Sequence, residues 1–197
     1  MGISISGVIL SGGENKRFGG ITKSNVVIGG KPIISRMLEA MTDIFDEIII
    51  VTNTPEKFKE YDCYKIVGDL FLKAGPLGGL HAAMKASTKG AIFAFAGDMP
   101  FLEKDLIIRM INNFIENKSE ALIPRVNDYS EPLHSIYSNS LVIRLEEYLA
   151  ETKEFAVRDF YKKIDVHYFK MNPSDEAIRS FTNINSPSDL TDITFSA

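Results

Sequence analysis

Residues 48–51 read Ile48-Ile49-Ile50-Val51, four β-branched residues in a row between Glu47 and Thr52. A strand built from them has no polar face and needs cover on both sides, as an inner strand of a parallel sheet has. The apolar runs 3–10 and 91–96 read the same way, and 64–67 is a shorter strand candidate. Between these runs the spacing turns helical. Ile33, Ile34, Met37, Leu38 and Met41 form one buried face, with Pro32 where a helix takes its first residue. Residues 25–28 form a short extended piece before the Gly29-Gly30 turn. An alanine-rich helix is expected over 77–87. Leu106, Ile107, Met110, Ile111, Phe114 and Ile115 mark another amphipathic helix. Strands separated by helices imply βαβ units and a parallel sheet. After residue 120 the alternation loosens. Strands are expected at 121–126 and 133–137 around the polar turn Asn127-Asp128, and a late strand at 166–171. Leu141, Val142, Leu145, Tyr148 and Leu149 share a helix face, and Pro187 starts a short last helix. The expected architecture is one α/β domain over 1–197, three-layer α/β/α with a mostly parallel sheet.

Composition excludes several classes. A length of 197 residues suits one domain, and 45% hydrophobic with 24% charged residues suits a packed core. A net charge of −4 argues against a general nucleic-acid binder. No apolar run approaches a membrane span, so no membrane association is expected. The apolar start lacks a preceding basic region and carries Ser4 and Ser6, unlike a secretory signal. Cys63 is the single cysteine, so an intrachain disulfide is excluded and a cytoplasmic location is expected. One cysteine and the scattered His81, His134 and His167 do not suggest a zinc site.

Chemistry concentrates directly after the first strand, in Leu10-Ser11-Gly12-Gly13-Glu14-Asn15-Lys16-Arg17-Phe18-Gly19-Gly20-Ile21-Thr22-Lys23. Glycines let successive backbone N–H groups surround phosphate oxygens, and Arg17 and Lys23 bring fixed positive charge. The loop is neither a P-loop, which needs Gly-Lys before Ser or Thr, nor a Gly-x-Gly-x-x-Gly fingerprint. Three further motifs also follow strands: Asn53, Asp69, and Gly97-Asp98-Met99-Pro100. Ligands of open parallel sheets bind outside the strands' carboxyl ends, so all four belong to one rim. Asp98, acidic at the end of a buried strand, needs solvation, a partner or a cation there. Mg²⁺ commonly takes one or two carboxylates plus phosphates.

The loop resembles the signature of nucleotidyltransferases with a Rossmann-like sheet. Its Lys16-Arg17-Phe18-Gly19-Gly20 spelling is similar to the molybdenum cofactor guanylyltransferases, although Thr22 stands where the wider family usually has Asp. Gly97-Asp98-Met99-Pro100-Phe101-Leu102 resembles the family's metal-binding turn, and Gly75-Pro76-Leu77-Gly78-Gly79-Leu80 its Gly-Pro-Leu-x-Gly segment. The resemblance implies that residues 1–119 bind nucleotide and 120–197 bind an acceptor. It places nucleotide on Leu10, Ser11, Gly12, Gly13, Lys23, Asp69 and Asp98. Asp69 can read a guanine edge, accept from a ribose hydroxyl or cap a helix. Glu131-Pro132-Leu133-His134-Ser135-Ile136-Tyr137 and Asn183-Ile184-Asn185 resemble acceptor-side segments, which nominates Pro132, Asn183 and Asn185. Asn residues two apart on an extended segment point to one side; they and Ser186 can equally cap a last helix.

The implied reaction is GMP transfer from GTP to the phosphate of molybdopterin, with pyrophosphate released. Arg17, Lys23 and Asp98 are the expected catalytic residues, and Asp98 the expected Mg²⁺ ligand. Implied partners are GTP, molybdopterin and cofactor-delivery or target molybdoenzyme proteins. Rival readings are cytidylyl transfer to the same cofactor, nucleotidyl transfer to a sugar phosphate, and a non-catalytic nucleotide-binding delivery module.

Overall fold

The computed structural model describes residues 4–12, 22–152, 155–186 and 189. Gly13, Arg17, the Gly19-Gly20 pair and Pro187, all singled out above, lie outside the described residues.

Among the described residues, the first strand, β1 (Ile5–Leu10), is followed by the 3₁₀ turn Lys23–Asn25 and a small ribbon of β2 (Val27–Ile28) and β3 (Lys31–Pro32). Gly29 and Gly30 join these strands at φ +56° and +79°, the left-handed pair that a tight hairpin demands. Pro32 caps α1 (Ile33–Met41) from extended backbone, and Ile33, Ile34, Met37, Leu38 and Met41 are all buried, the face expected from their spacing. β4 (Ile48–Val51) and β5 (Lys65–Val67) follow, then α2 (Gly75–Ala86), β6 (Ala91–Ala96) and α3 (Lys104–Asn117). The second half holds β7 (Ala121–Val126), β8 (Tyr129–Ser130), β9 (His134–Ser138), α4 (Val142–Glu151), α5 (Val157–Phe160) and β10 (Val166–Met171).

The main sheet runs β10-β7-β9-β6-β1-β4-β5, with β8 paired to β7. β4, β5 and β6 all join the β1 region in parallel, and β10 lies parallel to β7. β9 runs against both β6 and β7, because it returns from β7 through the tight turn at Asn127-Asp128. The sheet is therefore mostly parallel, with β9 and the short β8 reversed in its second half.

Alternate residues of each central strand face opposite layers. Ile9, Ile50, Phe93 and Phe95 pack with α1 and α3, while Val8, Ile49, Val51, Ile92 and Ala94 pack with α2 and α4. Ile48–Val51 is buried throughout, as an unbroken β-branched run requires. This is the three-layer α/β/α arrangement expected. Among the described residues, no helix is long and apolar enough to cross a membrane.

Candidate active site

The carboxyl ends of β1, β4, β5 and β6 meet on one rim, stitched by main-chain bonds. Ser11 N donates to Val51 O (2.8 Å), Thr52 N to Val67 O (2.8 Å) and Gly97 N to Leu10 O (3.0 Å). Two cavities open there. One, of about 310 Å³, is lined by Leu10, Gly12, Asn53, Asp69, Lys73 and Gly79, among others. The second, of about 360 Å³, takes in Ser11, Thr22, Lys23, Asp98, Glu131 and Asn183. Leu10, Gly12 and Leu133 line both, so the cavities adjoin.

In the first cavity Asp69 is held by Asn53 through a reciprocal pair. Asn53 Nδ2 donates to Asp69 Oδ2, and Asp69 N donates to Asn53 Oδ1, both at 2.9 Å. The carboxylate is thereby aimed with its other oxygen outside this pair. Glycine can admit backbone close to a ligand, and the 75–80 segment holds Gly75, Gly78 and Gly79. Gly78 does something else: a Cβ there would lie 2.8 Å from the carbonyl oxygen of Phe71, so it lets the loop after β5 pack against α2. Gly79 and Gly75 do line the cavity, beside the start of α2.

The second cavity is organised around Lys23. The turn Lys23–Asn25 is closed by Asn25 N donating to Thr22 O (2.8 Å), and Ser24 Oγ meets Ser11 Oγ at 2.5 Å. Thr22 is buried against the cleft. This anchorage directs Lys23 Nζ to Asp98 Oδ2 (2.8 Å) and Asn185 Oδ1 (2.6 Å). The tail that brings Asn185 is pinned by Ile184, which is fully buried and donates its N–H to Asp98 O (2.9 Å). Asn183 and Asn185 flank that pin. Asn183 lines the cavity with its Oδ1 buried and unpartnered. The Asp189 carboxylate accepts from the N–H groups of Asn185 and Ser186 and from Ser186 Oγ (2.7 Å), and the expected start of the last helix, at Pro187, lies outside the described residues. The Asn185 side chain is left to Lys23.

Pro132 stands beside the cavities and is not among the residues that line them; its carbonyl accepts from Tyr137 Oη (2.8 Å). Its neighbours Glu131 and Leu133 line the cleft instead. Glu131 is a residue the sequence reading quoted without a role. Glu131 stands next to Pro132 just ahead of β9, whereas Asp98 follows the carboxyl end of β6, so the strand-end signal that marked Asp98 does not mark Glu131. Glu131 is buried, accepts from Tyr129 Oη (2.6 Å) and Leu133 N (3.2 Å), and burial, aided by the Asp98 charge, raises its pKa above the usual carboxylate range.

Among the described residues no group of three or more His, Cys, Asp or Glu could hold a metal ion by itself. The donor set fits a cation that takes one carboxylate and completes its shell with phosphate and water, the habit of Mg²⁺. Asp98, its side chain 17% exposed at the cleft, offers that carboxylate.

Residues 7–167 match the MobA-like NTP transferase domain family. The chain belongs to this family. Relatives of this MobA-like NTP transferase include a probable molybdenum cofactor guanylyltransferase of Natranaerobius thermophilus, 36% identical over 95% of this chain and 93% of that protein. A molybdenum cofactor guanylyltransferase of Desulfosudis oleivorans is 30% identical over 95% and 93% respectively. Among solved structures, molybdopterin-guanine dinucleotide biosynthesis protein A of Archaeoglobus fulgidus superposes with a TM-score of 0.81 at 25% identity, covering 98% of this chain and 100% of that one. The Rossmann-like reading of the fold agrees with these MobA-like relatives.

Proposed function

We propose that this MobA-like NTP transferase transfers GMP from GTP to the phosphate of the molybdopterin-bound molybdenum cofactor, forming the guanine dinucleotide and releasing pyrophosphate. The observation that carries the mechanism is the cluster Lys23–Asp98–Asn185, which joins the nucleotide side of the rim to the tail. The guanylyltransferase names of the relatives favour this reading over cytidylyl transfer, over a sugar-phosphate acceptor and over a non-catalytic delivery module.

In this reading residues 1–119 serve the nucleotide and 120–197 the acceptor, within one domain. The base and ribose enter the cavity of Asp69, and the phosphates cross Leu10, Ser11, Gly12 and Gly13 toward Lys23. An acceptor phosphate oxygen attacks the α-phosphorus in line. A new P–O bond forms as the bond to the β-phosphate oxygen breaks, and pyrophosphate leaves with that electron pair. The acceptor phosphate is ionised near neutral pH, so no general base is needed. Lys23, together with Arg17, stabilises the charge growing on the phosphates and on the leaving group. Asp98 would hold Mg²⁺, whose bound charge neutralises phosphate oxygens. Asn183 and Asn185 orient the acceptor phosphate beside Lys23, and Pro132 shapes the strand head behind it. Positioning and charge neutralisation supply the catalysis. Delivery or target molybdoenzyme proteins would receive the product, and a cytoplasmic setting suits the substrates.

The test is incubation of the chain with molybdopterin-bound cofactor, Mg²⁺ and each of GTP, CTP, ATP and UTP, following pyrophosphate and dinucleotide. GTP is expected to give product. Tight GTP binding without product returns the delivery-module reading, and product from CTP alone overturns the guanine assignment.

A further inference from the structure

A third opening lies beyond the cleft, between the β7–β8 hairpin and the 3₁₀ segment Glu176–Phe181. It measures about 460 Å³ and is lined by Val126, Asn127, Tyr129, Ile178, Phe181 and Thr182. Its lining is largely apolar, with the amide of Asn127 and the hydroxyls of Tyr129 and Thr182 as its polar side-chain groups, and its volume falls in the roughly 300–1,000 Å³ range of small-ligand sites.

Two covalent links tie it to the cleft. Thr182 lines the groove and Asn183 lines the cleft. Tyr129 lines the groove, and two residues on Glu131 lines the cleft. Tyr129 also donates a hydrogen bond to Glu131. The hairpin tip turns through Asn127 at φ +52°, with Arg125 Nε donating to Asn127 O (2.9 Å), and leaves Tyr129 51% exposed. Its hydroxyl is nevertheless tied to Glu131 Oε2 at 2.6 Å. A large ring left half in water while its polar end is fixed is an orientated apolar face. Such a face stacks on a planar ring at low entropic cost, because its rotamer is already set. Glu131 also fixes the Leu133 N–H, so one buried carboxylate sets both the Tyr129 ring and the strand head between the two cavities.

We propose that this groove receives the fused heterocycle of the acceptor, with the Tyr129 ring as its stacking face and Glu131 as the positioning residue that holds the ring. The assignment rests on the reaction proposed above. It extends the acceptor site from the phosphate-orienting asparagines to the ring system that distinguishes a pterin phosphate from a sugar phosphate.

The experiment uses Tyr129→Ala, Tyr129→Phe and Glu131→Gln in the full chain. The first readout is the intrinsic fluorescence of a fully oxidised pterin carrying a phosphate ester, titrated without GTP. The second is the separation of KM from kcat in dinucleotide formation. The GTP-induced thermal shift checks that each variant is folded and binds nucleotide. Tyr129→Ala is expected to weaken pterin binding and raise acceptor KM by about tenfold or more, the usual loss for a stacking aromatic. Acceptor-saturated kcat and GTP affinity should stay near wild type. Tyr129→Phe keeps the face and should stay close to wild type in binding, while Glu131→Gln falls between the two. Unchanged pterin binding in Tyr129→Ala overturns the proposal, and so does equal loss in Tyr129→Ala and Tyr129→Phe, or no pterin binding by the wild-type chain. Tyr129-dependent pterin binding without product from the wild type would leave the groove standing and remove the reaction.

Discussion

The two sides of the cleft are built differently. The side proposed for the nucleotide is made largely of turns at the ends of parallel strands, and Asn53, Asp69 and Asp98 each sit within a few residues of the strand that carries them. Asp69 follows β5 and is aimed by Asn53, which follows β4. The side proposed for the acceptor is assembled from remote pieces. Asn183 and Asn185 arrive on a tail that has already passed through β10, and the buried Ile184 fastens it beside Asp98. The first side is a property of local turns, the second of tertiary docking. Substitutions on the first should therefore cost chemistry with little stability, and those on the second should cost both.

The largest effect tests the seam between them. Asp98→Asn is expected to lower turnover about a thousandfold, the scale of losing a cation that neutralises phosphoryl oxygens, while the melting temperature stays near wild type. Turnover that persists without Mg²⁺ sensitivity would remove Asp98 from the chemistry. Lys23→Ala should slow turnover by about a hundredfold or more with folding nearly intact. A folded and fully active variant would sink the charge-stabilising role.

Ile184→Ala breaks the comparison if the tail is merely resting on the surface. Removal of a fully buried isoleucine side chain costs about 2–4 kcal/mol, so denaturant unfolding should reveal a large loss. Acceptor KM should rise while GTP binding holds, because Asn183 and Asn185 lose their placement. If GTP binding fell as much as acceptor binding, the two sides would not be separable.

Asp69→Asn asks what the aimed carboxylate reads. Loss of charged hydrogen bonds costs about 1.5–3 kcal/mol, so GTP affinity should drop roughly ten- to a hundredfold. Loss confined to GTP marks a base contact; equal loss for all four nucleotides marks the ribose.

The last effect is on stability alone and belongs to His134 in β9. Its ring is fully buried against Phe93, Phe95 and Phe181, and burial lowers its pKa from 6.5 to about 3. The unfolded chain takes up a proton below pH 6.5 that the folded chain refuses until about pH 3. Stability should therefore decline as pH falls through that window, by about 1.4 kcal/mol per pH unit from this group. Equilibrium unfolding across pH 4–7 measures it, as rough bounds on the affected window, and His134→Leu should flatten the profile.

Much of the nucleotide side was legible in the residue order. Ile48–Val51 implied two covered faces, Lys23 stood out as a cation of the glycine loop, and Asp98 stood out because an acid at the end of a buried strand demands a partner. They turned out to be each other's partner at 2.8 Å. The reversed strand β9 was not legible, since period-2 patterning is the same for parallel and antiparallel neighbours. Glu131 passed unmarked because its burial depends on Tyr129 and on the head of β9, neither of which spacing reveals. Pro132 was nominated from its motif, and the backbone turned its neighbours into the cleft instead.

What the sequence determined by itself was the layered α/β plan and the chemical character of the rim. Hydrophobic period and glycine placement act over a few residues, and those are present in the chain before any folding. Only the tertiary structure decided which charges pair, which carboxylate is buried and how the tail meets Lys23. Those outcomes depend on contacts between segments as far apart as Lys23 and Asn185, whose proximity is set by the packing of the whole sheet and its two helical layers.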